Sequence, residues 1–211
     1  MKFKDMNLPN KLTTIRMFCV PLMLVLFIIH MLYRYLGFNC DINLINSLTL
    51  LQLIMVVIFI FASITDFIDG HLARKHNIVS DYGKLMDPLA DKLLVNTTII
   101  CMLASTMYLS GNDKLIYFEI IAMMFSILVI ARDIFVDALR MQALKNNVVV
   151  PANMLGKLKT ATLMPGIAFM LIGGLHLSIF IIGLSLMTLG GLFALIGGIK
   201  YYKDLSKHIK E

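Results

Sequence analysis

Residues Asp66 to Lys92 read DFIDGHLARKHNIVSDYGKLMDPLADK, and the acids in that run decide how the rest of the chain is read. Asp66, Asp69, Asp87 and Asp91 lie between two long apolar stretches, where a charged side chain is costly and usually functional. Positions three or four apart share a helix face. Asp66 and Asp69 are spaced i, i+3; Asp87 and Asp91 are spaced i, i+4, with Gly83 one turn earlier. Two helix ends can therefore each present a pair of carboxylates to one cavity. Four anions at close range repel, and they stay ionised together only with cations beside them. Carboxylate oxygens are hard ligands that suit Mg²⁺ or Mn²⁺. Two such ions about 3.5–4 Å apart are the simplest arrangement.

The neighbours of the acids narrow the chemistry. Gly70 and Gly83 each cost a helix about 1 kcal/mol relative to Ala, which suggests a bulky ligand lying against the backbone. Arg74 offers a planar fork to a phosphate. Carboxylates, a divalent cation, Arg and Gly together favour phosphoryl or pyrophosphate chemistry over carboxylate or cation transport. The plainer alternative is that the acids cap helix ends, with Asp81 or Asp87 capping a helix that starts near Ser80 or Pro88. For Asp81 alone the cap is preferred. Pro88 leaves open whether Asp87 is helical or sits at a boundary.

Outward from this stretch, the chain is 59% hydrophobic and 15% charged over 211 residues, with mean hydropathy +0.83. That composition points to a polytopic helical membrane protein. Apolar runs predict six spans, near residues 16–32, 48–68, 87–109, 115–138, 160–175 and 178–202, the fifth broken at Pro165-Gly166. Residues 1–15 read as an interfacial segment, a short helix and linker with a turn at Pro9-Asn10. Tyr33-Arg34-Tyr35 and Gly37-Phe38-Asn39 read as a wet loop, Ser110 to Asp113 as a turn, and Arg140 to Lys159 as a polar connection. The basic start resembles a signal peptide but has no small-residue cleavage site, so the first span is expected to be retained. The fold class expected is all-α: one six-helix membrane domain over 1–211, with a basic tail from 203.

Of 19 Lys and Arg residues, all but Arg34 and Lys114 fall on one side of this topology. The positive-inside rule then places both termini and the acidic stretch at the cytoplasmic face of the cell membrane. The net charge of +6 suits loops and anionic headgroups, and no long basic run supports nucleic-acid binding. Cys19, Cys40 and Cys101 form no CxxC pair and read as isolated thiols. His71, His76 and His176 have no partners at metal spacing. Glu119 reads as interfacial. Gly190-Gly191 and Gly197-Gly198, seven apart, read as a helix-packing pattern.

The order Asp66-x2-Asp69-Gly70-x2-Ala73-Arg74-x8-Gly83-x3-Asp87-x3-Asp91 resembles the signature of the CDP-alcohol phosphotransferases, with all eight specified positions present over 26 residues. The resemblance implies a six-helix membrane enzyme, commonly a homodimer, that displaces CMP from a CDP-linked lipid or alcohol with a hydroxyl nucleophile. It implies two bound divalent cations, Mg²⁺ or Mn²⁺. Asp66, Asp69 and Asp87 would bind metal, and Asp91 would bind metal or act as general base. Gly70, Ala73, Arg74 and Gly83 would line the CDP site.

Further segments resemble the bacterial phosphatidylglycerophosphate-forming branch of that family. Residues Leu8 to Arg16 are similar to its N-P-N-x-L-T-x-x-R start, with Leu8 in place of the first Asn. Asn10, Thr13 and Arg16 are its possible substrate contacts. Ala131-Arg132-Asp133, Ala138-Leu139-Arg140 and Gly156 to Thr160 are also similar, with Asp133 where Glu is usual. Arg132 and Arg140, about 80° apart around a helix, can face one cavity. Lys157 and Lys159 sit at the start of span five, where a helix N-terminus also favours anions. A phosphorylated acceptor needs such a basic pocket, although positive-inside loop charges would look the same. The expected reaction transfers the phosphatidyl group of CDP-diacylglycerol to glycerol 3-phosphate. The alternatives are inositol phosphate, serine or phosphatidylglycerol as acceptor, an acid-lined cation transporter, or a catalytically dead scaffold, which the intact acid set argues against.

Overall fold

The computed structural model describes residues 7–36, 43–45, 48–76, 81–109, 116–145 and 154–206, with residues 66–76 and 81–85 described by their backbone. Six helices dominate: α1 Leu8–Leu36, α2 Leu50–His76, α3 Asp81–Leu109, α4 Ile116–Lys145, α5 Met154–Leu171 and α6 Leu177–Ser206. A two-stranded antiparallel ribbon, β1 Asn43–Ile45 and β2 Leu48–Thr49, precedes α2, and one 3-10 turn, Gly173–Leu175, follows α5. Each helix takes in most of one apolar run and runs past it at one end at least; α2 starts at Leu50 rather than 48, and α5 stops at Leu171, short of the expected 175.

The extensions correct several boundaries. Helix α1 begins at Leu8, not Arg16, so the turn expected at Pro9-Asn10 is instead its first turn, opened by Lys11 N donating to Asn7 O at 3.0 Å. Proline suits that place because its φ is already helical and its missing N–H has no partner to lose. Tyr33-Arg34-Tyr35 is helical rather than a loop. Much of the expected polar connection is also helix, since α4 runs to Lys145 and α5 starts at Met154. Helix α5 passes unbroken through Pro165, without the break expected at Pro165-Gly166. The expected turn at Ser110 to Asp113, the loop at Gly37 to Asn39, Cys40 and residues 1–6 lie outside the described residues.

Helix α2 starts on a capping box that the hydropathy pattern does not announce. Gln52 N donates to Thr49 Oγ1 at 3.3 Å, and Thr49 N donates to Gln52 Oε1 at 3.0 Å. The two side chains satisfy each other's backbone donors at the helix start.

The chain divides into two compact units. The first, residues 1–105 and 171–179, holds α1, α2, most of α3 and the 3-10 turn. Here α1 packs on α2. Its buried stripe is Asn10, Thr13, Arg16, Val20 and Met23, while α2 buries Met55, Phe59, Ala62 and Thr65. Both stripes step by three or four residues, as a helix face requires. The opposite face of α1 is apolar and exposed: Phe18 (71% exposed), Leu22, Val25, Ile28 and Leu32. Polar side chains inside and a continuous apolar stripe outside suit a hydrocarbon solvent rather than water. By length and composition Asn10–Tyr33 and Leu177–Ser206 can each cross a membrane, and Leu50–Thr65 is a shorter apolar helix.

The second unit, residues 106–170 and 180–211, is built on α4, α5 and α6. Helix α6 buries Gly183, Gly190, Gly191, Gly197 and Gly198, and these glycines set how closely its neighbours approach. A Cβ on Gly191 would stand 2.6 Å from the Phe125 ring, and one on Gly190 would stand 2.7 Å from Leu163 Cγ. The glycine spacing in α6 is thus a packing pattern. Val136 and Ala143 of α4 close the far end against Tyr201 and Leu205.

Gly183 gives the clearest test. Its Cβ would meet the backbone nitrogen of Met170 at 2.8 Å and the Gly166 carbonyl at 3.1 Å, and neither can swing aside. Gly183→Ala is expected to destabilise by about 1–3 kcal/mol through overpacking. Gly156→Ala, in α5 with nothing within 4 Å, is expected to be neutral or to add up to about 1 kcal/mol through helix propensity. Thermal midpoints in detergent should separate the two variants in that order.

Candidate active site

The acids sit on two helices joined by a four-residue connection, 77–80. Asp66 lies ten residues before the end of α2 at His76, and Asp91 lies ten residues after the start of α3 at Asp81. Asp69 is seven residues before that end, and Asp87 six after that start. At about 1.5 Å per residue, Asp66 and Asp91 are both about 15 Å from their helix ends, and Asp69 and Asp87 about 10 Å. Each helix thus carries one pair of the acids, within ten residues of the end next to the connection.

Asp87 is unambiguously helical, since α3 begins at Asp81 and carries Pro88 inside it. The possibility of a helix starting at Pro88, with Asp87 as its cap, is thereby excluded. Asp81 is the first residue of α3. Gly70, Ala73 and Arg74 occupy the last turns of α2 and Gly83 the first turn of α3. Their side-chain environments, with those of Asp66 and Asp69, lie outside the described residues. Among the described residues no three potential ligands stand together.

Helix α1 contributes to the same unit. Asn10 (4% exposed), Thr13 and Arg16 (both 0%) are spaced i, i+3, i+6 and all face inward. Thr13 Oγ1 donates a hydrogen bond to Asp87 Oδ1. A buried guanidinium such as that of Arg16 is tolerated only beside compensating polar or anionic groups. The residues singled out near the N-terminus therefore do belong to the interior, and one of them touches an acid of the motif. The Thr13 contact joins residues 74 positions apart, and no local pattern in the chain predicts it.

The donor set fits a divalent cation on its chemistry. Four carboxylates on two consecutive helices supply hard oxygens and four negative charges, and a neutral hydroxyl on Asp87 leaves that charge in place.

The other cluster lies in the second unit. Arg132 on α4 donates from Nε to the Ala194 carbonyl of α6 at 2.9 Å and pairs through Nη1 with Asp133 Oδ1 at 3.0 Å. Lys159 on α5 donates to both oxygens of Asp133. The glycine pair on α6 makes room for the arginine: a Cβ on Gly198 would stand 3.1 Å from Arg132 Cγ. Side-chain exposure is low throughout, 15% for Arg132, 12% for Lys159 and 5% for Asp133. Two cations thus share one carboxylate, and the cluster keeps one net positive charge. Asp133 is the hub of the cluster. Arg140 lies two turns further along α4, exposed, with its guanidinium 5.7 Å from the centre of the Tyr201 ring. Lys157 is exposed on the first turn of α5.

Comparison with known proteins follows the same lines. The family model for CDP-alcohol phosphatidyltransferases matches residues 6–194. The chain is 32% identical over 208 residues to a Rickettsia bellii protein named CDP-diacylglycerol--glycerol-3-phosphate 3-phosphatidyltransferase, covering 97% of this chain and 98% of that one. Proteins of the same name from Bacillus subtilis (35% identical, 73% of this chain and 70% of that one) and Mycoplasma pneumoniae (37%, 73% and 63%) are also similar.

Proposed function

The chain belongs to the CDP-alcohol phosphatidyltransferase family, and we propose that it transfers the phosphatidyl group of CDP-diacylglycerol to glycerol 3-phosphate, releasing CMP. The observation that carries this reading is the four-acid set divided between the end of α2 and the start of α3, in a chain whose full-length relatives carry that reaction in their names.

In this reading Asp66, Asp69, Asp87 and Asp91 hold two divalent cations, Mg²⁺ or Mn²⁺. When bound, the cations supply positive charge against the pyrophosphate oxygens. Gly70, Ala73, Arg74 and Gly83 hold the CDP moiety, the small residues admitting it close to the backbone and Arg74 pairing with phosphate. Arg132, Arg140, Lys157 and Lys159 bind the acceptor's phosphate. Asp91 takes the proton from the acceptor's primary hydroxyl. The freed oxygen bonds to the phosphorus that carries diacylglycerol, the bond from that phosphorus to the bridging oxygen breaks, and CMP leaves with the electron pair.

The reading includes the topology. All six helices are taken as membrane spans, which their lengths of 18 to 30 residues support, with both termini and the acids on the cytoplasmic side. The distribution of Lys and Arg supports that side. The test is purified protein with labelled CDP-diacylglycerol and Mg²⁺ or Mn²⁺, offered glycerol 3-phosphate, serine, inositol phosphate or phosphatidylglycerol in turn. CMP release is expected with glycerol 3-phosphate. Release with another acceptor alone overturns the acceptor, and no acceptor-dependent release overturns the reaction.

A further inference from the structure

Helix α1 carries Asn10, Thr13 and Arg16 on one face, all buried. Burying polar groups in an otherwise apolar helix is unfavourable unless each finds a partner. Thr14, Thr65 and Thr98 return their hydroxyls to carbonyls of their own helices, Asn10, Ala62 and Leu94 respectively. The Thr13 hydroxyl instead crosses to α3 and donates to the Asp87 carboxylate.

That bond has the chemistry of a support for a metal ligand. A hydroxyl donating to an ionised carboxylate makes a strong, charge-assisted bond. It occupies one acceptor site on Oδ1 and leaves Oδ2 and the remaining lone pairs available. Being neutral, it adds no positive charge that would compete with a cation, as a Lys or Arg in its place would. In a helix threonine χ1 divides between two rotamers, and the bond to Asp87 holds the hydroxyl in one of them. Groups that orient ligating carboxylates in this way set the affinity of the site without touching the ion.

We infer that Thr13 is a positioning residue: it fixes the Asp87 carboxylate from α1, so that the first helix sets the geometry of acids carried by the third. The inference rests on the reading of Asp87 as a cation ligand. It differs from a substrate-contact role for Thr13, since it predicts an effect on metal binding with no substrate present.

The experiment measures Mn²⁺ binding to purified full-length protein in detergent, by loss of the free-ion electron paramagnetic resonance signal, without CDP-lipid or acceptor. The variants are Thr13→Val, Thr13→Ser and Asp87→Asn. Thr13→Val keeps the shape and removes the donor, and is expected to weaken Mn²⁺ binding about 10- to 100-fold, with Thr13→Ser within about 3-fold of the parent. Parental affinity in Thr13→Val, or equal loss in Thr13→Val and Thr13→Ser, overturns the positioning role. Asp87→Asn separates the two levels of the argument. If it binds Mn²⁺ as the parent does, the assignment of Asp87 as a ligand fails. If it loses binding while Thr13→Val does not, only the role of Thr13 fails.

Discussion

Asp91→Asn is expected to slow CMP release by at least about 10²-fold, up to about 10⁴-fold, the range lost when a general base is removed. The replacement is close to isosteric, so it tests charge and proton acceptance rather than packing. Asp91 sits on α3 between Ala90 and Leu94, both fully buried, and an Asn of the same volume leaves those contacts in place. An amide cannot take the hydroxyl proton, and it is a poorer ligand for a hard cation. Both losses act on the same step, and a 10²-fold effect corresponds to about 2.7 kcal/mol of barrier. The measurement is acceptor-dependent CMP release at saturating CDP-diacylglycerol, with the thermal midpoint as a control. Turnover near the parental rate would remove Asp91 from the base role and leave the proton to another group.

The largest effect on stability is expected at Asp133. It is the shared anion between Arg132 and Lys159, and all three side chains are largely buried. A surface ion pair contributes little, but deleting one partner of a buried set leaves uncompensated charge in a low dielectric. Asp133→Ala leaves two cations facing each other across the vacated space. The expected cost is about 3–5 kcal/mol, a fall of roughly 10 °C in thermal midpoint for a chain of this size. Asp133→Glu keeps the charge, and the longer reach still meets Lys159. It is expected to stay within about 1.5 kcal/mol of the parent, the cost of a well-tolerated repacking. A midpoint for Asp133→Ala within a degree or two of the parent would mean that the cluster is solvated and that Arg132 is held by the Ala194 carbonyl alone.

The two clusters also mark how far the chain could be read without coordinates. The six helices were legible because apolar runs of membrane length leave few alternatives. Their ends were not, because hydropathy marks where lipid begins rather than where the backbone stops coiling. Tyr33 and Arg34 are polar enough to suggest a loop yet continue α1 without strain. The pairing of Asp66 with Asp69, and of Asp87 with Asp91, was legible because three- and four-residue spacing is local geometry. Their places within α2 and α3 required the ends of those helices. The bond from Thr13 to Asp87 and the ties from Arg132 to Ala194 and from Lys159 to Asp133 were not legible. They join residues 74, 62 and 26 positions apart, and only the packing of helices brings such groups together. The basic residues were read as a set, but the structure separates them. Arg132 and Lys159 are engaged with Asp133, whereas Arg140 and Lys157 are exposed.

The slot that Gly197 and Gly198 leave for Arg132 makes these positions inseparable during divergence. A side chain gained at 198 would press on the arginine stem 3.1 Å away, and that stem cannot retreat while its Nε is bonded to the Ala194 carbonyl. A shortened residue at 132 would remove the tie from α4 to the Ala194 carbonyl and leave Asp133 paired with Lys159 alone of the two cations, beside an empty groove on α6. The cost of each change is set by the residue at the other position, so drift at the two positions is coupled. Across descendants of this chain, position 198 should acquire bulk only in lineages where position 132 has already ceased to be arginine.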